Sequence, residues 1–106
     1  MTAINILTST NEVRSAFYAL VEQWHQENRY TSSTHQMVLH SAYQQIIGLG
    51  EPVVPLLLEE LEKKTGRWFW ALKAITRQYP VPPEHQGRTK LMIQAWLDWG
   101  EQHGYR

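Results

Sequence analysis

The fold of this chain is decided by residues 48–61, which read GLGEPVVPLLLEEL. Gly48 and Gly50 readily take the left-handed backbone conformation that ends a helix. Pro52 suits the first turn of the next helix, where its missing N–H costs little. The leucines that follow recur at helical spacing. The stretch therefore predicts one helix that ends near residue 47 and a second that begins at residue 51.

Apolar residues also recur at helical spacing on both sides of this turn. They predict helices over about 10–30, 34–47, 51–64, 67–77 and 83–100. The expected buried sides of the first two helices carry Val13, Phe17, Leu20, Val21 and Trp24, and then Leu39, Tyr43, Ile46 and Ile47. No useful alternation typical of strands occurs, so we predict an all-α fold of about five helices. They would form a compact bundle or a stack of helical hairpins.

Composition limits the domain count and the class of protein. The chain has 106 residues, with ten Lys and Arg against ten Asp and Glu, and no cysteine. This length fits a short N-terminal arm (1–9) and a single all-α domain (10–106). Without cysteine, disulfides and thiol chemistry are excluded. No apolar run approaches the roughly 20 residues of a membrane span, and no signal-peptide pattern opens the chain, so we expect a cytoplasmic protein.

The turn also carries a recognisable pattern, G-x-G-[DE]-x-x-x-P-x-L-x-x-x-L. Its matching residues are Gly48, Gly50, Glu51, Pro55, Leu57 and Leu61. With its flanks, over residues 40–77, this segment resembles about one HEAT-like helical repeat. The resemblance implies a protein-binding scaffold. A solenoid needs about three repeats, so the chain would be a closed hairpin-based domain or a unit completed by a partner.

The whole chain also resembles small bacterial proteins without an assigned activity. Such proteins often act as accessory subunits or as toxin-neutralising partners in two-component modules. This resemblance implies a partner protein and no particular chemistry.

Residues able to carry catalysis are present but not grouped. No His-x-x-x-His pair or HExxH motif occurs among the five histidines, which are His25, His35, His40, His85 and His103. Glu59, Glu60 and Glu62 are expected on a solvated face with Lys63 and Lys64. We therefore predict no enzyme, metal site or cofactor. A ligand-binding or catalytic role for His40 and Tyr43 is the minor alternative.

The most distinctive run is RWFWALK, residues 67–73. Successive helical residues are about 100° apart, so its three aromatic side chains cannot share one face. We expect Trp68 and Leu72 to face the core and Trp70 to point elsewhere. In the more ordinary interpretation Trp70 packs against Trp96 or Trp99.

A second interpretation gives the same run a function. Trp70, together with Arg67, Lys73 and Arg77, would form a partner-binding anchor, because Trp and Arg are enriched at interaction hot spots. This set is the predicted site, and another protein is the expected partner.

Two further partners stay open. Basic residues outnumber acidic ones seven to one between positions 63 and 90, which predicts a face that could bind nucleic acid. Neighbouring Glu59, Glu60 and Glu62 could equally neutralise that face. Trp96 and Trp99 lie three apart on the last helix, so they would form a homodimer seam if that face were uncovered.

Overall fold

The structure is a computed structural model that describes residues 3–63 and 67–106, with the side chains of 11–63 and 67–106. Helix is the only regular structure among these residues, which confirms the all-α prediction. The helices are α1 (Ala3–Glu27), α2 (Thr34–Leu39), α3 (Ser41–Gly48), α4 (Val54–Leu61), α5 (Phe69–Thr76) and α6 (Thr89–Gln102). Short 3₁₀ turns cover Glu51–Val53 and Pro83–His85. None of the described helices combines the length and apolarity needed to cross a membrane.

Contacts divide the chain into two units, Met1–Val53 and Val54–Arg106. The first holds α1, α2, α3 and the first 3₁₀ turn, and the second holds α4, α5, α6 and the second turn. The single domain expected over 10–106 stays a prediction.

In the first unit, α1 begins at Ala3, earlier than the sequence indicated. Residues 3–9, expected as an arm, contain no proline or glycine to interrupt the helix. Phe17, Val21 and Trp24 of the predicted apolar stripe are buried, whereas Val13 and Leu20 are half-buried. Trp24 packs on Tyr43 of α3, with ring centroids 5.5 Å apart, and its indole N–H donates to the Met37 carbonyl at 2.7 Å.

The predicted second helix is two helices, α2 and α3, because the helical conformation is interrupted at His40. This residue has extended backbone angles (φ −58°, ψ 140°), and its Nδ1 accepts a hydrogen bond from the Ala42 N–H at 3.0 Å. The side chain therefore caps the start of α3. Leu39, expected on the buried side, is instead 58 % exposed, because the break at His40 ends the stripe that it would have continued.

The turn after α3 forms where it was predicted, but only Gly50 takes the left-handed conformation, since Gly48 is the last residue of α3. Gly50 has a φ of 78°, and its N–H donates to the Ile47 carbonyl at 3.0 Å, which satisfies an acceptor at the helix end. Whether 40–77 is a HEAT-like repeat stays a prediction drawn from the sequence.

In the second unit, α4 packs against both α5 and α6. The leucines of α4 are buried with Trp68, Leu72, Ile93 and Trp96. Gly100 of α6 comes so close to α4 that an added Cβ would lie 2.5 Å from Cδ1 of Leu58. The segment 79–82 is an irregular connector, in agreement with its prolines, and the second 3₁₀ turn begins at Pro83.

Candidate functional site

The outer face of α5 presents a row of side chains away from the core. Trp68 and Leu72 are buried, as predicted. Trp70, Lys73, Ala74 and Arg77 follow at i, i+3, i+4 and i+7, a spacing that places them along one side of a helix. Together with Gln78 and Tyr79 they line an open groove of about 340 Å³, which we call the α5 groove.

Trp70 is the prominent apolar side chain of this groove. It is 56 % exposed, so the expectation that it packs against Trp96 or Trp99 is wrong. Those two indoles pack on each other instead, with centroids 5.4 Å apart, and Trp99 also stacks on Tyr105. Trp70 is therefore available for contact with another molecule.

Tyr79 reaches the groove because of how α5 ends. Arg77 takes the left-handed conformation with a φ of 57°, and its N–H donates to the Lys73 carbonyl at 2.9 Å. The Gln78 N–H then donates to the Thr76 hydroxyl at 3.1 Å. The chain leaves the helix after this turn, and Tyr79 lines the groove beside α5.

Tyr79 is held from two directions. The Lys73 ammonium lies 5.1 Å from the centroid of its ring, a cation–π contact. Its hydroxyl accepts a hydrogen bond from the Gln86 side chain. The ring is nevertheless 40 % exposed, so one wall of the groove is both fixed in place and accessible.

The groove is cationic. Lys73 and Arg77 line it, and no carboxylate does. Neither the Arg77 guanidinium nor the Trp70 indole has a polar partner among the described residues. Positive charge in the groove is therefore not neutralised by its own walls.

The wider basic run over 63–90 is neutralised in part. Lys63 donates to Glu60 at 2.6 Å, whereas Glu62 pairs with Arg106, which lies outside this run. Glu60 is buried, so its expected place on a solvated face is wrong. Lys64 lies outside the described residues.

Three of the four predicted site residues thus meet in one place, namely Trp70, Lys73 and Arg77. Arg67 precedes α5 and is not among the residues that line the groove. Sequence reasoning missed Ala74, Gln78 and Tyr79. Helical spacing from Trp70 could have found Ala74, whereas the position of Tyr79 depends on the turn at Arg77.

The other two candidate sites are less suited to binding a partner, because their tryptophans are buried. A second groove of about 330 Å³ lies along α6, but its tryptophan, Trp99, is buried, and its carboxylate, Asp98, accepts from Gln94 at 2.8 Å. The homodimer seam required Trp96 and Trp99 to be uncovered, and both are buried within the second unit.

The minor alternative, a ligand or catalytic role for His40 and Tyr43, involves residues that have structural contacts. His40 caps α3, and Tyr43 is fully buried against Trp24. Within the described residues, no three His, Asp or Glu side chains are grouped so that they could hold a metal ion. No protein-family model, curated protein or solved structure matches this chain.

Proposed function

We propose that this chain is a small, cytoplasmic, non-catalytic interaction module that binds another protein through the α5 groove. It would act as an accessory subunit or as a toxin-neutralising type of partner. The observation that carries the proposal is the exposure of Trp70 beside Lys73 and Arg77 in a groove that no carboxylate lines.

The residue types support a protein partner. Trp, Tyr and Arg are enriched among the residues that contribute most to protein–protein binding energy. One of each is present among the six residues that line the groove. Covering the exposed part of Trp70 would contribute on the order of 1–2 kcal/mol, or about tenfold in affinity. Tyr79 adds a second ring that is already held in place, so little side-chain entropy is lost when a partner covers it.

Nucleic acid is the alternative partner, by way of the basic 63–90 face. Exposed rings beside cations also suit a single strand, since bases stack on aromatic side chains. Against this, the chain has zero formal net charge, and only two cations line the groove. Nucleic-acid binders usually follow the phosphate backbone with more positive charge than this.

A photo-crosslinking experiment in the native cell tests the proposal. A photoreactive residue is placed at Gln78, which lines the groove, and in a control protein at Gln23, an exposed position on α1. We expect the Gln78 probe to give a crosslink that mass spectrometry maps to one segment of one protein. The Gln23 probe should not give that product.

A matched pair of substitutions distinguishes binding in the groove from nonspecific binding to any exposed aromatic side chain. Trp70→Ala should abolish the crosslink, whereas Tyr30→Ala should leave it unchanged, because Tyr30 is a 92 % exposed aromatic residue that does not line the groove. Crosslinks to nucleic acid alone, or equal products from both probe positions, would contradict a protein-binding groove.

A further inference from the structure

We propose that the α5 groove recognises a short acidic segment of the partner, in which an apolar or aromatic side chain is flanked by carboxylates. This inference rests on the proposed function and names the chemistry of the partner. Charge complementarity, the size of the groove, its two rings and the backbone at Arg77 support it.

Charge is the first reason. Among the described residues, Arg77 has five N–H donors without a polar side-chain partner, and the contact found for the Lys73 ammonium is the ring of Tyr79. A guanidinium binds a carboxylate through two parallel hydrogen bonds, and such charge-assisted bonds are among the stronger ones. A basic segment would meet two like charges, whereas an acidic segment would pair with both.

The size of the groove limits how much of a partner can enter it. Its volume of about 340 Å³ is at the lower end of the range for ligand pockets, about 300–1,000 Å³. One or two side chains fill such a space. A short stretch of chain that inserts one apolar side chain fits this space.

The rings decide the type of inserted side chain. The walls are mainly apolar, and Trp70 and Tyr79 supply exposed aromatic surface. Aromatic pairs gain about 0.5–1.5 kcal/mol beyond the area that they bury, so a Trp or Phe anchor is favoured over a small polar residue. Carboxylates on either side of that anchor would then reach Lys73 and Arg77.

The backbone at Arg77 adds an independent observation. Arg77 is the one non-glycine residue with positive φ among the described positions. Glycine or asparagine would occupy this helix-ending conformation more readily than arginine. Arginine stands at position 77 although the left-handed conformation suits it less well than it suits glycine or asparagine. Its guanidinium supplies a cation to the groove, which is consistent with a binding role.

Binding of short labelled peptides to the full chain, followed by fluorescence anisotropy, tests this inference. The first peptide is Gly-Asp-Glu-Trp-Glu-Asp-Gly, and the second replaces every acid by its amide. A third keeps the acids and replaces Trp by Ser, and the last probe is oligothymidylate. We expect the acidic Trp peptide to bind about tenfold or more tightly than either other peptide, and its affinity to fall as salt rises.

Variants assign the contacts. Arg77→Asn removes the cation and suits the left-handed backbone, so the fold is kept, and it should weaken the acidic peptide about tenfold without affecting the neutral one. Trp70→Ala should weaken both Trp-containing peptides. Lys90→Gln removes an exposed charge outside the groove and should change each affinity by less than about twofold.

Equal binding of acidic and neutral peptides would overturn the inference. So would binding of oligothymidylate alone with the same dependence on Trp70 and Arg77, which would identify a nucleic-acid groove instead. A crosslinked partner whose mapped segment is neutral or basic would refute the acidic segment and leave the proposed function standing. Absence of a protein crosslink from Gln78 would instead refute the proposed function.

Discussion

The Lys73 ammonium lies over the ring of Tyr79, 5.1 Å from its centroid, although the two residues are separated by the end of α5. The contact joins the helix to the chain that follows it and so builds one wall of the α5 groove. A cation–π contact at an exposed site contributes about 0.5–1 kcal/mol, which is enough to bias the ring toward this position. The groove therefore depends on a local arrangement within the second unit.

Truncation of Trp68 and truncation of Trp70 should differ greatly in their effect on stability. Trp68 is 1 % exposed, so Trp68→Ala should lower the free energy of unfolding by about 3–5 kcal/mol. Trp70→Ala removes an exposed ring and should change it by less than about 0.5 kcal/mol. Urea unfolding measures both, and a large loss of stability for Trp70→Ala would show that this indole is part of the core.

His40 should be replaceable by another capping residue. Its Nδ1 accepts from the Ala42 N–H, so the ring carries its hydrogen on Nε2, which lies 2.8 Å from Oε1 of Glu27. His40→Ala should cost about 0.5–2 kcal/mol, whereas His40→Asn should keep most of the cap. Glu27→Gln replaces the carboxylate that accepts from Nε2–H by an amide oxygen at a partly exposed position, and it should cost less than about 1 kcal/mol. Equal thermal stability of His40→Ala and the unchanged chain would argue against the cap.

Alanine substitution at Gly100 and at Gly48 should change the thermal stability in opposite directions, because the two glycines differ in how closely they are packed. A Cβ at Gly100 would lie 2.5 Å from Cδ1 of the fully buried Leu58, so Gly100→Ala should cost about 1–3 kcal/mol from overpacking, offset in part by helix propensity. Gly48 has no neighbouring atom within 4 Å, and Gly48→Ala should stabilise by up to about 1 kcal/mol. Thermal melts of the two variants should shift in opposite directions, and a stabilised Gly100→Ala would contradict the close approach of α6 to α4.

The indole N–H of Trp24 should matter for stability. It donates to the Met37 carbonyl at 2.7 Å in the buried part of the first unit. Trp24→Phe leaves that carbonyl without this donor and should cost about 1–3 kcal/mol, before any effect of lost volume. Trp70→Phe, which removes an exposed indole, is the matched control and should be close to neutral by urea unfolding.

Sequence patterns predicted the helices well because apolar spacing encodes which side faces a core. Phe17, Val21 and Trp24 were predicted as buried and are buried. The break at His40 was missed, because the apolar spacing continues from Leu39 to Tyr43 across it, whereas the break depends on the side-chain cap. Glu60 was missed for a related reason, since a charged residue in an apolar helix gives no sequence signal for burial.

The candidate site was predicted in part. Trp70, Lys73 and Arg77 share one helical face, and that spacing can be read from the sequence. The groove itself could not be predicted, because one of its walls is Tyr79, which follows the positive-φ residue Arg77 and packs on Lys73. A single φ value at a non-glycine residue leaves no pattern in a lone sequence.

The most direct measurement of the α5 groove as a binding site is an NMR titration that follows the five tryptophan indole N–H signals. The acidic Trp peptide is prepared without isotope label, and the Trp70 signal is assigned by its loss in Trp70→Ala. If the peptide binds in the α5 groove, the Trp70 signal should shift as peptide is added, while the signals of buried Trp24, Trp68 and Trp96 should stay in place. An unmoved Trp70 signal, or a shift confined to Trp99 in the second groove along α6, would contradict binding in the α5 groove.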